Sequence, residues 1–155
     1  MNERLENIKL SFGTLFFVAN RMETLIDRYL SPYNLTTKQF FLSIVLIRAK
    51  EENKQLTLSQ ASELMGTSRQ NVKQLALKLQ ERGFCKITRD KEDHRILRLS
   101  ITKKNMEFWE VIDSENIKFL NNMFKEIEDE KLSSMAIGLK KLYDSIEKLE
   151  KKQSS

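Results

Sequence analysis

The sequence predicts a mainly α fold with a small β-hairpin wing: a winged helix-turn-helix lobe carried between N- and C-terminal helices that form a dimerisation region. Three observations predict it. The stretch from Leu56 to Gly83 reads as two amphipathic runs joined by a tight turn at Gly66. Two strand patterns follow, Phe84–Thr88 and Ile96–Ile101, on either side of a charged tip, Arg89–Arg95. Both chain ends carry apolar seams at alternating spacings of three and four, the mark of helices packed lengthwise on other helices.

The first seam runs through Leu5, Ile8, Phe12, Leu15, Ala19, Met22, Ile26 and Tyr29. That helix should end near Leu30, because Ser31 precedes Pro32 and is pushed out of the helical region. Thr36 and Gln39 have capping-box spacing and open a second helix, to about Lys50. Phe40, Phe41, Ile44, Val45, Leu46 and Ile47 make it apolar almost all round, which predicts a central position. Glu51 to Lys54 is a polar link. Thr57 and Gln60 repeat the capping-box spacing before a third helix, Leu58–Met65, with Leu58, Ala61, Leu64 and Met65 on its inner face. Gly66 permits the turn. Ser68 is the better N-cap for the fourth helix, with Thr67 as the alternative. Val72, Leu75, Ala76 and Leu79 form its buried stripe, and Gly83 can close it in a left-handed conformation.

Thr102 can cap a further helix carrying Phe108, Trp109, Ile112, Phe119, Leu120, Met123, Phe124 and Ile127. A break is expected near Glu128–Lys131. The last helix carries Leu132, Met135, Leu139, Leu142, Ile146 and Leu149, and the residues after Glu150 should fray. These readings give a single domain over 1–155: dimerisation helices at 1–35 and 102–150 around a lobe at 36–101. The terminal seams are too long for the small lobe to cover. They are expected to pack on each other and on the same helices of a second chain.

One cysteine among 155 residues rules out an internal disulfide and points to a reducing compartment. No apolar run is long enough to span a bilayer, and Met1–Leu10 is too polar for a signal peptide, so a cytoplasmic protein without membrane contact is expected. The formal net charge is +5, unevenly spread. Residues 54–104 carry 12 basic and 5 acidic side chains, a local charge of +7, against +1 before and −3 after. The excess coincides with the helix-turn-helix and wing, where a polyanion would be met.

On the fourth helix the face opposite the buried stripe presents Gln70, Gln74 and Leu77, with Lys73 beside them and Arg69 at the N-terminal end. Such a face can be a plain solvated surface, but a tight turn before it and a wing after it favour a reader of double-stranded DNA. Gln bonds adenine and Arg bonds guanine in bidentate fashion in the major groove, and Leu77 suits a thymine methyl. Thr67, Ser68 and the free helix-start amides suit a phosphate. In the wing, Arg89, Lys91 and Arg95 are spaced to reach a minor groove or its phosphates, and Asp93 can fix the pose of Arg95.

The run from Leu56-Thr57 to Gly83, with Arg89, Asp93-His94-Arg95 and Leu99-Ser100-Ile101-Thr102, resembles the multiple-antibiotic-resistance regulator (MarR) family. The Asp-x-Arg of the wing and the strand ending in Ile-Thr are its most specific marks. The resemblance covers nearly the whole chain. It implies a homodimeric winged-helix transcriptional regulator, a repressor or an activator, on a pseudo-palindromic operator. It puts Arg95 in the minor groove with Asp93 as its support. Lys73-Gln74 and Leu77 depart from the family's usual residues, so no operator sequence carries over. The resemblance also implies a small-molecule effector in a crevice beside the lobe. Phe16, Tyr29, Tyr33, Phe40 and Trp109 could line it, although aromatic residues at helical spacing are more often plain core.

Other chemistry is thin. Cys85 opens the strand after Gly83, where a side chain packs inward and a thiol is usually inert. His94 stands alone and makes a poor metal ligand. No P-loop and no nucleophile–base pair is visible, so neither catalysis nor a cofactor is expected. Two rival functions remain: a winged-helix protein-interaction module without DNA readout, and a thiol-based redox sensor acting through Cys85.

Overall fold

The computed structural model describes residues 2–153. Its elements, in chain order, are α1 (Glu3–Leu30), a 3-10 turn (Ser31–Tyr33), α2 (Thr37–Glu51), β1 (Leu56–Thr57), α3 (Leu58–Met65), α4 (Arg69–Glu81), β2 (Cys85–Arg89), β3 (Leu97–Ile101), α5 (Lys103–Phe124) and α6 (Asp129–Gln153). The chain divides into two compact units, one ending at Trp109 and the other beginning at Glu110.

In the first unit α2 is central, as its composition predicts, and packs against α1, α3, α4 and β3. Both capping boxes form. Thr36 Oγ1 accepts from the Gln39 amide at 3.3 Å while Gln39 Oε1 accepts from the Thr36 amide at 3.0 Å. Thr57 and Gln60 do the same at 3.1 and 2.9 Å. A contact between α1 and α2 that the sequence did not disclose involves Thr37. Asp27 Oδ1 accepts from its amide at 2.7 Å and from its hydroxyl at 2.8 Å.

The core gathers Leu30, Leu42, Leu46, Ala61, Val72, Ala76, Leu79, Phe84 and Leu99, all buried. Two expectations fail here. Leu64 was expected on the inner face of α3 but is half exposed, and Ser62 is buried in its place. Eight residues make barely two turns, and the side of α3 that meets α2, α4 and β3 is centred on Ala61 and Ser62. On α2, Phe41 is likewise exposed, while the small residues Ser43 and Ala49 are buried.

The sheet has one more strand than the hairpin. β1 pairs antiparallel with β3 (Leu56 opposite Leu99), so β3 is central and the order is β1-β3-β2. β2 begins one residue later than expected because Phe84 closes the turn that caps α4. Gly83 adopts φ +72°, its amide donates to Gln80 O at 2.8 Å, and the Phe84 amide donates to Leu79 O at 2.8 Å. β3 likewise begins at Leu97, since the Ile96 amide closes the wing turn on Asp93 O at 2.9 Å.

Thr102 starts α5 as expected, accepting from the Asn105 amide at 3.2 Å. In the second unit the interruption between α5 and α6 falls at 125–128, ahead of the expected Glu128–Lys131. Asp129 and Glu130 enter the first turn of α6 instead, where the helix dipole favours acidic side chains. No described helix is long and apolar enough to cross a membrane.

Candidate nucleic-acid interface

The turn between α3 and α4 is built by the sequence itself. Gly66 takes φ +61°, a region that costs other residues strain, and its amide donates to Glu63 O at 3.1 Å. Ser68, extended at φ −74° and ψ 153°, then caps α4 by accepting from the Asn71 amide at 3.2 Å. Asn71 Nδ2 donates to Thr67 Oγ1 at 3.0 Å, a bond the sequence reading did not foresee. It pins Thr67, leaving the Arg69 and Gln70 side chains exposed on the first turn, with Lys73 exposed on the next.

Of the other residues expected on this face, Gln74 is exposed as well but also borders a crevice. With Thr67 it lines this space of about 420 Å³, whose other walls include Glu23 of α1 and Lys38 and Phe41 of α2. Leu77 is half-buried. The aromatic residues suggested for a crevice lie elsewhere. Phe40 packs on Trp109 at 5.0 Å between ring centroids, and Tyr33 packs on Phe108 at 5.5 Å. They are core, the ordinary fate of aromatic residues at that spacing. Phe16 stays on the surface of α1, edge-on to Phe12 at 5.1 Å.

The wing tip is organised by Asp90. One carboxylate oxygen accepts from the Glu92 and Asp93 amides at 2.9 and 3.0 Å, and the other takes Arg98 Nε. The Asp93 amide first, then Arg98 and the Glu92 amide, hold the Asp90 carboxyl down at about 2, so it stays ionised. Arg98 also donates to Gln55 O at 3.2 Å, tying the wing to the segment leading into β1.

On this base Asp93 holds Arg95. Its Oδ1 accepts from the Arg95 amide at 3.0 Å and from Nε at 3.1 Å, and Oδ2 accepts from Nη2 at 3.3 Å. The Arg95 side chain is nevertheless 91 % exposed. The guanidinium is thus aimed outward in a fixed pose. Arg95 lowers the Asp93 carboxyl in turn. Arg89 is used partly within the hairpin, donating to His94 O at 3.1 Å, while Lys91 projects from the tip. Arg98 is the wing residue sequence reasoning missed. Its only signal was a basic residue inside an otherwise apolar strand pattern.

Cys85 is buried, and burial pushes its thiol up to about 11. Gln80 Oε1 accepts from the Ile87 amide at 2.9 Å, fastening α4 to β2.

No protein-family model matches the sequence, and no curated protein does. Solved structures do match the fold. The transcriptional regulator BldR from Sulfolobus solfataricus is 18 % identical, with a TM-score of 0.78 over 94 % of this chain and 99 % of that one. A MarR protein from Peptoclostridium difficile is 25 % identical, with a TM-score of 0.71 over 92 % and 88 %. A mutant of MarR from E. coli, solved in complex with operator DNA, is 18 % identical, with a TM-score of 0.73 over 92 % and 99 %. With two helices joined by a Gly66 turn, a three-stranded wing and long helices at both ends, the chain has the fold of the MarR-family transcriptional regulators.

Proposed function

We propose that the protein is a sequence-specific DNA-binding transcriptional regulator, a repressor, that grips a pseudo-palindromic operator as a homodimer. The observation that carries this is Arg95, bare to solvent yet held by three hydrogen bonds to Asp93, on a wing that follows a recognition helix with a free N-terminal face. A side chain already fixed loses little entropy on entering a groove. Thr67, Ser68, Arg69, Gln70, Lys73 and Gln74 serve the major groove and the phosphates beside it. Arg89, Lys91 and Arg95 serve the minor groove.

The homodimer rests on the arms. Phe12, Phe16, Phe17, Leu139, Leu142 and Leu149 leave apolar rows exposed in the single chain, more than a soluble monomer ordinarily shows. Paired through them, two protomers offer their recognition helices about one DNA turn apart, roughly 34 Å. A small-molecule effector seated in the crevice between α1, α2 and α4 would press on Thr67 and Gln74 and release the operator.

Selection of bound duplex from a random pool tests the reading. A palindrome with a fixed half-site separation is expected, and binding of the selected site should collapse with rising salt. Arg95→Ala should weaken operator binding and lower the salt slope by about one. An unchanged slope removes the wing from the interface, and indifference to salt favours a protein-interaction module. The buried, poorly ionised Cys85 speaks against a thiol sensor, so Cys85→Ser should bind the operator as before and respond to oxidant no differently.

A further inference from the structure

Arg82 lies just past the end of α4, and the DNA-reading roles leave it unused. Its guanidinium reaches back along the sequence to the joint between α1 and α2. Nη1 donates to the carbonyl of Asn34, and Nη2 donates to the carbonyl of Tyr33 at 2.7 Å. Its flat face lies 4.9 Å from the centroid of the Phe84 ring. Its own carbonyl accepts from Lys104 Nζ at 2.8 Å, and the neighbouring Gly83 carbonyl accepts from Thr102 Oγ1 at 2.6 Å. Among the described residues no carboxylate forms an ion pair with it. Its donors go to two consecutive backbone carbonyls.

The joint it grips is short. One 3-10 turn, Ser31–Tyr33, and a left-handed Asn34 at φ 54° are all that separate α1 from the approach to α2. A planar fork on two adjacent carbonyls attaches at two points and resists rotation, where a single ammonium would act as a swivel. The lever is long. The 13 residues of α4 lie between Arg82 and the base-reading end, a span of about 20 Å at 1.5 Å per residue. A swing of about 10° at the joint would carry that end roughly 3.4 Å, the rise of one base pair.

Resting on the reading of the chain as a DNA-binding dimer, we infer that Arg82 is a positioning residue: it fixes the recognition helix against α1 and so sets the half-site spacing the dimer accepts. The bond pattern explains the residue type. Lysine keeps the charge but cannot hold both carbonyls in the same plane.

The test uses the full chain as wild type, Arg82→Lys and Arg82→Ala, with inverted half-sites whose spacer is varied one base pair at a time. Wild type should favour one spacer over its neighbours by about tenfold, the equivalent of a single mismatched pair. Arg82→Ala should still bind but lose most of that preference, and Arg82→Lys should fall between. If Arg82→Ala keeps the wild-type spacing preference, the inference is wrong. It is also wrong if all spacers weaken equally and the salt slope drops by about one, since Arg82 would then be a phosphate contact.

A second measurement needs no DNA. Spin labels at Arg21→Cys on α1 and Gln70→Cys on α4, with buried Cys85 left in place, report the distance across the joint. The distribution should broaden in Arg82→Ala and less in Arg82→Lys, and equal widths in all three overturn the inference. Should wild type ignore every duplex, the functional reading falls, while the label widths still decide whether Arg82 holds the joint.

Discussion

The lobe and the terminal arms are patterned by the same rule and come out differently. Leu42, Val72, Ala76 and Leu79 in the lobe expose no surface, whereas Phe16 and Phe17 on α1 remain 60 % and 73 % exposed. Along α6, in the second unit, Ile137, Leu139, Leu142, Ile146 and Leu149 are exposed too. A stripe of apolar residues at helical spacing therefore states only that something will cover it. In the lobe the cover is the next element of the same chain. On the arms it is, in the proposed dimer, a second copy.

The comparison can be broken most directly in the lobe. Leu79→Ala should cost about 2–5 kcal/mol, because the surrounding core cannot collapse fully into the gap. Urea denaturation reads this loss. An arm residue should behave otherwise. Phe17→Asp should leave the melting of the lobe nearly unchanged and raise the dimer dissociation constant roughly 30-fold, the effect of losing about 2 kcal/mol at an interface anchor. Sedimentation equilibrium measures it. If Phe17→Asp unfolds the lobe as Leu79→Ala does, the two regions are one cooperative body and the contrast is lost.

A cap change sharpens the same contrast at smaller scale. Thr57→Ala removes half of the reciprocal bond pair that starts α3 and should lower lobe stability by about 1 kcal/mol, seen as a reduced thermal midpoint. The smallest effect belongs to the wing and appears only in acid. Asp90 titrates near 2 in the fold against 3.8 ordinarily, so its contribution is complete above pH 3.8 and fades as the pH falls towards 2. Asp90→Asn should therefore melt below wild type near neutrality, and the gap between the two should close across that acid window. A gap that persists at pH 2 would mean that the carboxylate charge is not what orders the wing.

What the sequence disclosed was local. Thr36 with Gln39, Thr57 with Gln60, Ser68, Gly66 and Gly83 each act within a few residues, and every one performs as its spacing indicates. What it hid depends on distant partners. β1 is two residues long and exists because Leu99 and Arg98 pass beside it, some forty positions later. Arg82 finds the Tyr33 and Asn34 carbonyls across a similar gap. The fate of Gln74 turned on α1 and α2 standing opposite α4, and period alone does not say which flank of a helix a neighbour takes. For the candidate site, the residue types and their order were legible. The anchoring of the wing through Asp90, Arg98 and Gln55 was not.

The bond between Gln80 and the Ile87 amide has a consequence for solubility. A three-stranded sheet leaves two open borders, and an unpaired border strand invites a strand from another molecule. Here one border, β1, is only two residues long. Along the other, β2, a glutamine side chain already occupies the Ile87 amide, and Lys86 and Arg89 place positive charge nearby. Molecules crowded side by side therefore have little means of zipping together through their wings.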